Sequence, residues 1–183
     1  MQRTLLPVLI LLVLVVIAPL LAPADPMRTD TARQLEAPSS EHLFGTDLLG
    51  RDVLSRALHG GKHTLVIAAL ATLVAVIPGV LLGLLGVVSW ADRLVNILVN
   101  AVLAFPGLLL ALMIMTVLGQ GALPLLLATG LTQIAPCARV TGAAVFGVYP
   151  LGYVEAARGL GATRLRVIFA HVLPNTLPGT MWF

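Results

Sequence analysis

LVNILVNAVLAFPGLLLALMIMTVLGQGALPLLLATGLTQIAPCA, residues 94–138, contains no charged side chain. A helix crosses the hydrocarbon core of a bilayer with about 20 apolar residues, so a run about twice that length reads as two crossings. Gly119-Gln120-Gly121 is the natural turn between them. The whole chain agrees with this reading. Of its 183 residues 58% are hydrophobic and 10% charged, with a mean hydropathy of +1.01. Soluble domains carry about 25% charged residues. The expected fold class is therefore all-α, a polytopic membrane helical bundle.

Working outward, residues 64–88 form a further uncharged span, interrupted by Pro78 with Gly79 and Gly83 behind it. Small residues let helices approach closely in lipid, so this face is expected to pack on another helix. Asp92 and Arg93 mark a short polar loop. Residues 4–22, after Arg3, are long enough for a first span. Ala22-Pro23-Ala24 before Asp25 also resembles a secretory cleavage site, but the apolar stretch exceeds the usual 7–15 residues and the proline is awkward there. The expectation is a retained span. At the other end, the nine residues 175–183 rise only about 13 Å as a helix, under half a bilayer core. The expected plan is four complete spans and the start of a fifth: a first span in 1–24, a polar segment outside the hydrocarbon with an interfacial helix in 25–63, and a helical core in 64–183 that is incomplete at its C-terminus. In the third span, Pro106 removes one helical hydrogen bond and kinks the helix, either as a hinge or as a static bend.

Two polar stretches interrupt the apolar runs. HLFGTDLLGRDVLSRALHGG, residues 42–61, has a turn-forming start and a helical continuation, with Asp47 expected to cap the helix and Asp52 to pair with Arg56 four residues on. His59 and His63 share a metal-compatible spacing, but no further ligands stand nearby and no metal site is expected. YVEAARGLGATRLRVIFAHVLPN, residues 153–175, carries Glu155, Arg158, Arg164 and Arg166 on a helix–turn–helix pattern. Pro150 suits a first helical turn, Ala156 and Ala157 favour helix with little bulk, Gly159 and Gly161 permit a turn, and Pro174 stops the second helix. By composition alone this is either a docking element for a cytoplasmic partner or an amphipathic helix whose basic face meets anionic headgroups. The pI of about 9.8 comes from dispersed basic residues without a stripe or interleaved aromatics, so the membrane surface, not nucleic acid, is the acidic neighbour. Cys137 stands alone, which excludes an internal disulfide framework.

The 153–175 stretch resembles the EAA loop of ABC-importer permeases at Glu155, Ala156, Ala157, Arg158, Gly161, Leu173 and Pro174. In the 42–61 stretch, Gly45, Thr46, Asp47, Gly50, Arg51, Asp52, Ser55 and Arg56 are similar to the extracytoplasmic motif of the dipeptide, oligopeptide and nickel branch of those permeases. The phenylalanine-proline pair at Phe105 and Pro106 matches a third family pattern. The resemblance covers roughly residues 41–178. It implies a type I importer permease fold and a transmembrane subunit that moves peptides or a related small solute, nickel included, with residues 150–174 as the loop that docks on the ATPase.

The implied partners are separate ABC ATPase subunits, a homologous second permease, an extracytoplasmic solute-binding protein and the lipid membrane. The implied location is the bacterial cytoplasmic (inner) membrane, multi-pass, with the N-terminus inside, which makes the 25–63 segment extracytoplasmic. Arginines and lysines divide six inside to five outside on that topology, so the positive-inside rule adds little. No cofactor and no enzymatic role are implied. No Gly-rich loop ending in Gly-Lys-Ser/Thr occurs, so ATP hydrolysis falls to other subunits. The uncharged spans also disfavour an intramembrane enzyme. The chain departs from the family at Thr141, where arginine is common, at Ala170, and in residues 140–153, which lack the usual charges. Because such permeases continue through fifth and sixth spans, a truncated chain is expected, and a non-transporting membrane anchoring or assembly protein stays open as the alternative.

Overall fold

The computed structural model describes residues 13, 15–85 and 89–180. Its elements are α1 (Val53–Leu85), α2 (Ser89–Leu103), α3 (Gly107–Leu118), α4 (Ala122–Val148), α5 (Gly152–Gly159), α6 (Arg164–Val167) and α7 (Leu173–Thr180), with a π-helical turn, Ile168–Val172, between the last two. Short 3-10 turns, Ala18–Leu21 and Thr31–Arg33, precede α1. The chain forms two compact units, Met1–Ala68 and Ala69–Phe183.

In the second unit α1 and α4 pack through a seam of small residues. Ala71, Ala75, Gly79 and Gly83 recur every four residues on one face of α1 and are all buried, while Leu70, Leu73, Ile77 and Leu81 point outward. Side chains four apart lie on one helix face, which is why this spacing makes a continuous groove. A Cβ added to Gly79 would lie 2.7 Å from the Cβ of Cys137, one on Gly83 2.5 Å from that of Thr141, and one on Gly130 2.9 Å from that of Val74. The expected packing face on Gly79 and Gly83 is thus present, and α4 is its partner. Cys137 fills it as a small apolar residue.

The contact pairs climb in the same order on both helices, so α1 and α4 run parallel. Ala122 lies about 12 Å before Gly130 along α4, and Leu85 about 16 Å beyond Val74 along α1. The intervening chain must therefore return about 28 Å, close to a hydrocarbon core. It does so through α2 and α3, bent by 85° at the Pro106 break. Gly119 and Gly121, at φ 86° and 147°, make the expected turn into α4.

The described residues hold two helices long and apolar enough to cross a membrane, α1 and α4, and three crossings if the bent pair counts as one. The four complete spans expected from sequence are not reproduced as such. The first, 4–22, lies mostly outside the described residues, as do the last three residues of 64–88 and of the fifth stretch. Two boundaries also differ from expectation. The interfacial helix and the second span are one 33-residue helix that runs unbroken through Gly60, Gly61 and Pro78. Helix α4 continues to Val148, ten residues past Ala138, where the uncharged run ends.

The seam leaves no room for a larger residue. Gly83→Val should destabilise the protein in detergent by about 1–3 kcal/mol, as overpacking does. Gly147→Ala, at a helical glycine with open space, should be neutral or stabilising by up to about 1 kcal/mol. Thermal unfolding of the two variants checks this, and equal melting temperatures would refute the seam.

Candidate functional site

The segment 150–174 is an arm built on the end of α4. Pro150 lies in the turn before α5, not in its first turn as expected, and Leu151 in extended conformation starts the helix by accepting from the N–H groups of Val154 and Glu155 at 2.9 and 3.2 Å. Glu155 sits in the first turn and Arg158 in the last, the signs that the helix dipole favours. Eight residues are too few to hold helical form alone in water. What holds them is Val154, fully buried among Leu84, Val145, Val167, Ile168 and Val172.

Gly161 makes the turn at φ +84° and faces open space, while Gly159 stays helical. Thr163 then starts α6, its hydroxyl accepting from the Arg166 N–H at 3.4 Å. Pro174 does not stop the helix as expected. It offers no N–H to the Ala170 carbonyl, and the helix widens into the π turn and continues as α7.

The buried valines leave the opposite face free. Glu155, Ala156, Arg164 and Arg166 are exposed, Leu160 is 90% exposed and Leu165 68%. Arg158 lays its guanidinium 5.2 Å from the centre of the Tyr149 ring. Ala157 and Leu173 are half-buried and Pro174 exposed, so the residues of the expected docking loop share one arm with a fixed inner side and an open outer side. Pro106, the expected hinge, precedes α3 directly at φ −57°, ψ 123°, and separates α2 from α3 instead of kinking one helix.

In the first unit, the motif 45–56 closes a loop on itself. Gly45 and Gly50 both have φ +71°, and a Cβ on either would strike the carbonyl oxygen of Glu36 at 2.3 Å or of Asp30 at 1.7 Å. Thr46 is buried, bridges antiparallel to Asp52, accepts from the Glu36 N–H at 2.9 Å and donates to the Arg33 carbonyl. Asp47 does not cap α1. Its Oδ1 accepts from the N–H groups of Leu49 and Arg51 at 2.8 and 3.0 Å, and its Oδ2 takes both Arg51 and Arg56 at 2.8 Å. The expected Asp52–Arg56 pairing gives way to this arrangement, because Asp52 is turned inward as the true cap of α1. It accepts from the Ser55 N–H at 2.7 Å and from His42 Nδ1 at 3.0 Å, and Ser55 Oγ in turn accepts from the Ala24 N–H at 3.1 Å. His59 Nδ1 donates to the Ser55 carbonyl at 2.9 Å.

Burial by itself would raise the Asp47 carboxyl, but hydrogen bonds from the Arg51 and Leu49 backbones and the Arg51 guanidinium outweigh it and hold the group below its usual range. Asp52 is likewise lowered against the pull of burial, by Ser55 first and then by His42.

One polar cluster escaped sequence reading. Asp92, Asn96 and Asn100 stand four apart along α2, the Asn96 amide donates to the Asp92 carboxylate at 2.6 Å, and Arg139 of α4 donates to the Asn100 side-chain carbonyl. Their four-residue spacing was the available signal, hidden because asparagines add no charge to an apolar run.

Among the described residues the chain is thus built of helices, two of them long and apolar enough to cross a membrane, with a polar arm mounted on their ends. Residues 71–182, more than half the chain, match the family described as binding-protein-dependent transport system inner membrane component, and the chain belongs to that family. It is 39% identical over 168 residues to the di/tripeptide transport system permease protein DppC of Pseudomonas aeruginosa, covering 87% of this chain and 55% of that protein. It is 35% identical over 156 residues to the glutathione transport system permease protein GsiD of Pectobacterium atrosepticum, covering 84% and 52%. With the dipeptide transport system permease protein DppC of Bacillus subtilis it shares 32% over 173 residues, covering 92% and 53%. The chain thus spans about half the length of these relatives.

The loop chemistry has a pH signature. Asp47 and Asp52 have folded-state pKa values below their unfolded value of about 3.9, so their stabilisation is complete above that pH and is lost as the pH falls through the folded values. Hydrogen-exchange protection of the Thr46 and Asp47 amides should hold at neutral pH and collapse below about pH 3.9, while α4 stays protected. Protection of the loop unchanged down to about pH 2 would contradict this assignment of charge.

Proposed function

We propose that this chain forms the core of the membrane permease of an ATP-driven importer for small peptides or a related solute. The observation that carries the reading is the arm 150–174, anchored by buried valines to both seam helices and presenting Glu155, Ala156, Leu160 and the arginines outward, on a chain of this family. The di/tripeptide and glutathione permeases among its relatives support a peptide-like solute, and nickel is the related solute to compare.

In this reading ATPase subunits grip the outer face of the arm in the cytoplasm, a homologous second permease completes the pore, and an extracytoplasmic binding protein delivers the solute. The parallel course of α1 and α4 supports such a topology, since it sets the turn before α4 at the opposite end of the seam from the arm. ATP hydrolysis lies with the ATPase subunits. The break at Pro106 is the hinge about which α3 swings as the pore alternates. The motif 45–56 is the folded platform facing the binding protein.

Coupling requires an arm with a fixed shape. Gly161→Pro forbids the positive φ of the turn, since proline holds φ near −65°, and Glu155→Lys reverses the charge at the start of α5. In proteoliposomes holding the assembled importer, both variants should lower peptide uptake roughly tenfold or more, the scale of a typical coupling energy, while the ATPase still co-purifies. Normal uptake by both would remove the arm as the coupling element.

A further inference from the structure

A cavity of about 310 Å³ opens between α2 and α4, lined among others by Asp92, Asn96, Asn100, Arg139, Gly142 and Phe146. We propose that it is a subsite for a zwitterionic peptide backbone, in which Arg139 takes the carboxylate, Asp92 takes the ammonium group, and the side-chain amides of Asn96 and Asn100 meet the peptide bond. This rests on the importer reading and deepens it.

Three observations carry the assignment. First, an acid and a base share one cavity, yet each rests on a neutral amide. Arg139 donates to Asn100, and Asp92 accepts from Asn96. A neutral amide is an exchangeable partner, because a ligand carboxylate forms a stronger, charge-assisted bond with a guanidinium. Second, the spacing fits. Asp92 and Asn100 are about 12 Å apart along the helix. An extended dipeptide spans about 7 Å, and a hydrogen bond of about 3 Å at each end brings the reach to about 13 Å. Third, the walls suit a small solute. Gly142 leaves room where a side chain would fill the cavity, Phe146 supplies an apolar side, and the volume lies at the lower end of the range for ligand pockets. Arg139 is the one charged residue of α4 and stands directly after the uncharged run 94–138, as Asp92 stands just before it.

The experiment uses the assembly containing this chain, purified from its own cells into lipid nanodiscs, with dipeptide uptake measured in parallel in proteoliposomes. A photoreactive dipeptide, benzoylphenylalanyl-alanine, is cross-linked, and the labelled residues are mapped by mass spectrometry. The label should fall in 92–100 or 139–146. Ala-Ala should compete roughly tenfold or more better than its C-terminal amide or its N-acetyl form, the worth of one hydrogen bond to a charged group. Arg139→Gln should abolish the distinction between free and amidated Ala-Ala and leave that between free and acetylated intact, and Arg139→Lys should restore it. A merely structural Arg139 would weaken all competitors alike. If Arg139→Gln does not assemble, Asp92→Asn gives the mirror result with the acetylated dipeptide.

Label elsewhere, or unchanged discrimination in these variants while uptake persists, would overturn the subsite and leave the importer reading standing. No dipeptide uptake by the unaltered assembly would overturn the importer reading and the subsite with it.

Discussion

Lipid tails are as apolar as leucine, so two helices in a bilayer gain little by burying leucine between them and must be held by close van der Waals contact. Here that contact is the seam of Ala71, Ala75, Gly79 and Gly83 against Gly130, Cys137 and Thr141. Each glycine brings backbone and side chain so near that a single added methyl group would overlap its neighbour. The rest of the second unit follows from this seam. Because it holds α1 and α4 parallel, the chain between them must return the full thickness, and α2 and α3 do this with a break that Pro106 makes possible. Where α2 meets α4, Val95 and Val99 pack near Ala135 and Ala138, and the polar cavity lies beside them.

The arm depends on the same seam. Leu84 follows Gly83 on α1, and Val145 lies one turn beyond Thr141 on α4, so the tight contact ends in an apolar socket made by both helices. Val154, Val167 and Val172 fill that socket. A fully buried valine side chain is worth roughly 1.5–3 kcal/mol, enough to fix a helix that could not persist alone. The arm is therefore stiff with respect to α1 and α4. A force on its outer face reaches both helices through packed side chains, not through a flexible linker.

Much of this was legible in the sequence, and the failures have physical causes. Uncharged length marked α1 and α4, because lipid demands it, and glycine spacing marked the face on which they meet. The turn at Gly119 and Gly121 and the turn at Gly161 were readable, since positive φ needs glycine. Three features were not. The helix runs on through Gly60 and Gly61 because a glycine costs a helix interior only about 1 kcal/mol, and through Pro78 because a helix in lipid tolerates a proline. The 85° break at Pro106 reads in sequence as an ordinary kink, since a proline reports a lost hydrogen bond but not the angle taken afterward. Asp47 and Asp52 exchanged expected roles because the fold of residues 25–52 decides which carboxylate meets the helix N-terminus, and that fold is held by contacts distant in sequence, Thr46 with Arg33 and Glu36 and Ser55 with Ala24.

The two polar regions of the chain show how a motif of acids, bases and a histidine can be structural while a cluster of asparagines is not. In the loop, both oxygens of Asp47 and both of Asp52 are engaged, and the hydroxyls of Thr46 and Ser55 hold backbone groups of other segments. Among the described residues no buried side-chain polar atom lacks a partner. A ligand for this motif would have to displace backbone hydrogen bonds and unfold the loop that presents it. Beside α2 the balance is opposite. Arg139 and Asp92 are satisfied by amides on flexible side chains at the wall of an open cavity, and releasing those amides disturbs no helix. The spacing of the eight loop-motif residues therefore specifies a conformation, whereas the four-residue spacing along α2, with Arg139 reaching across from α4, sets an anion, two amides and a cation where a dipolar solute can replace the contacts they make at rest.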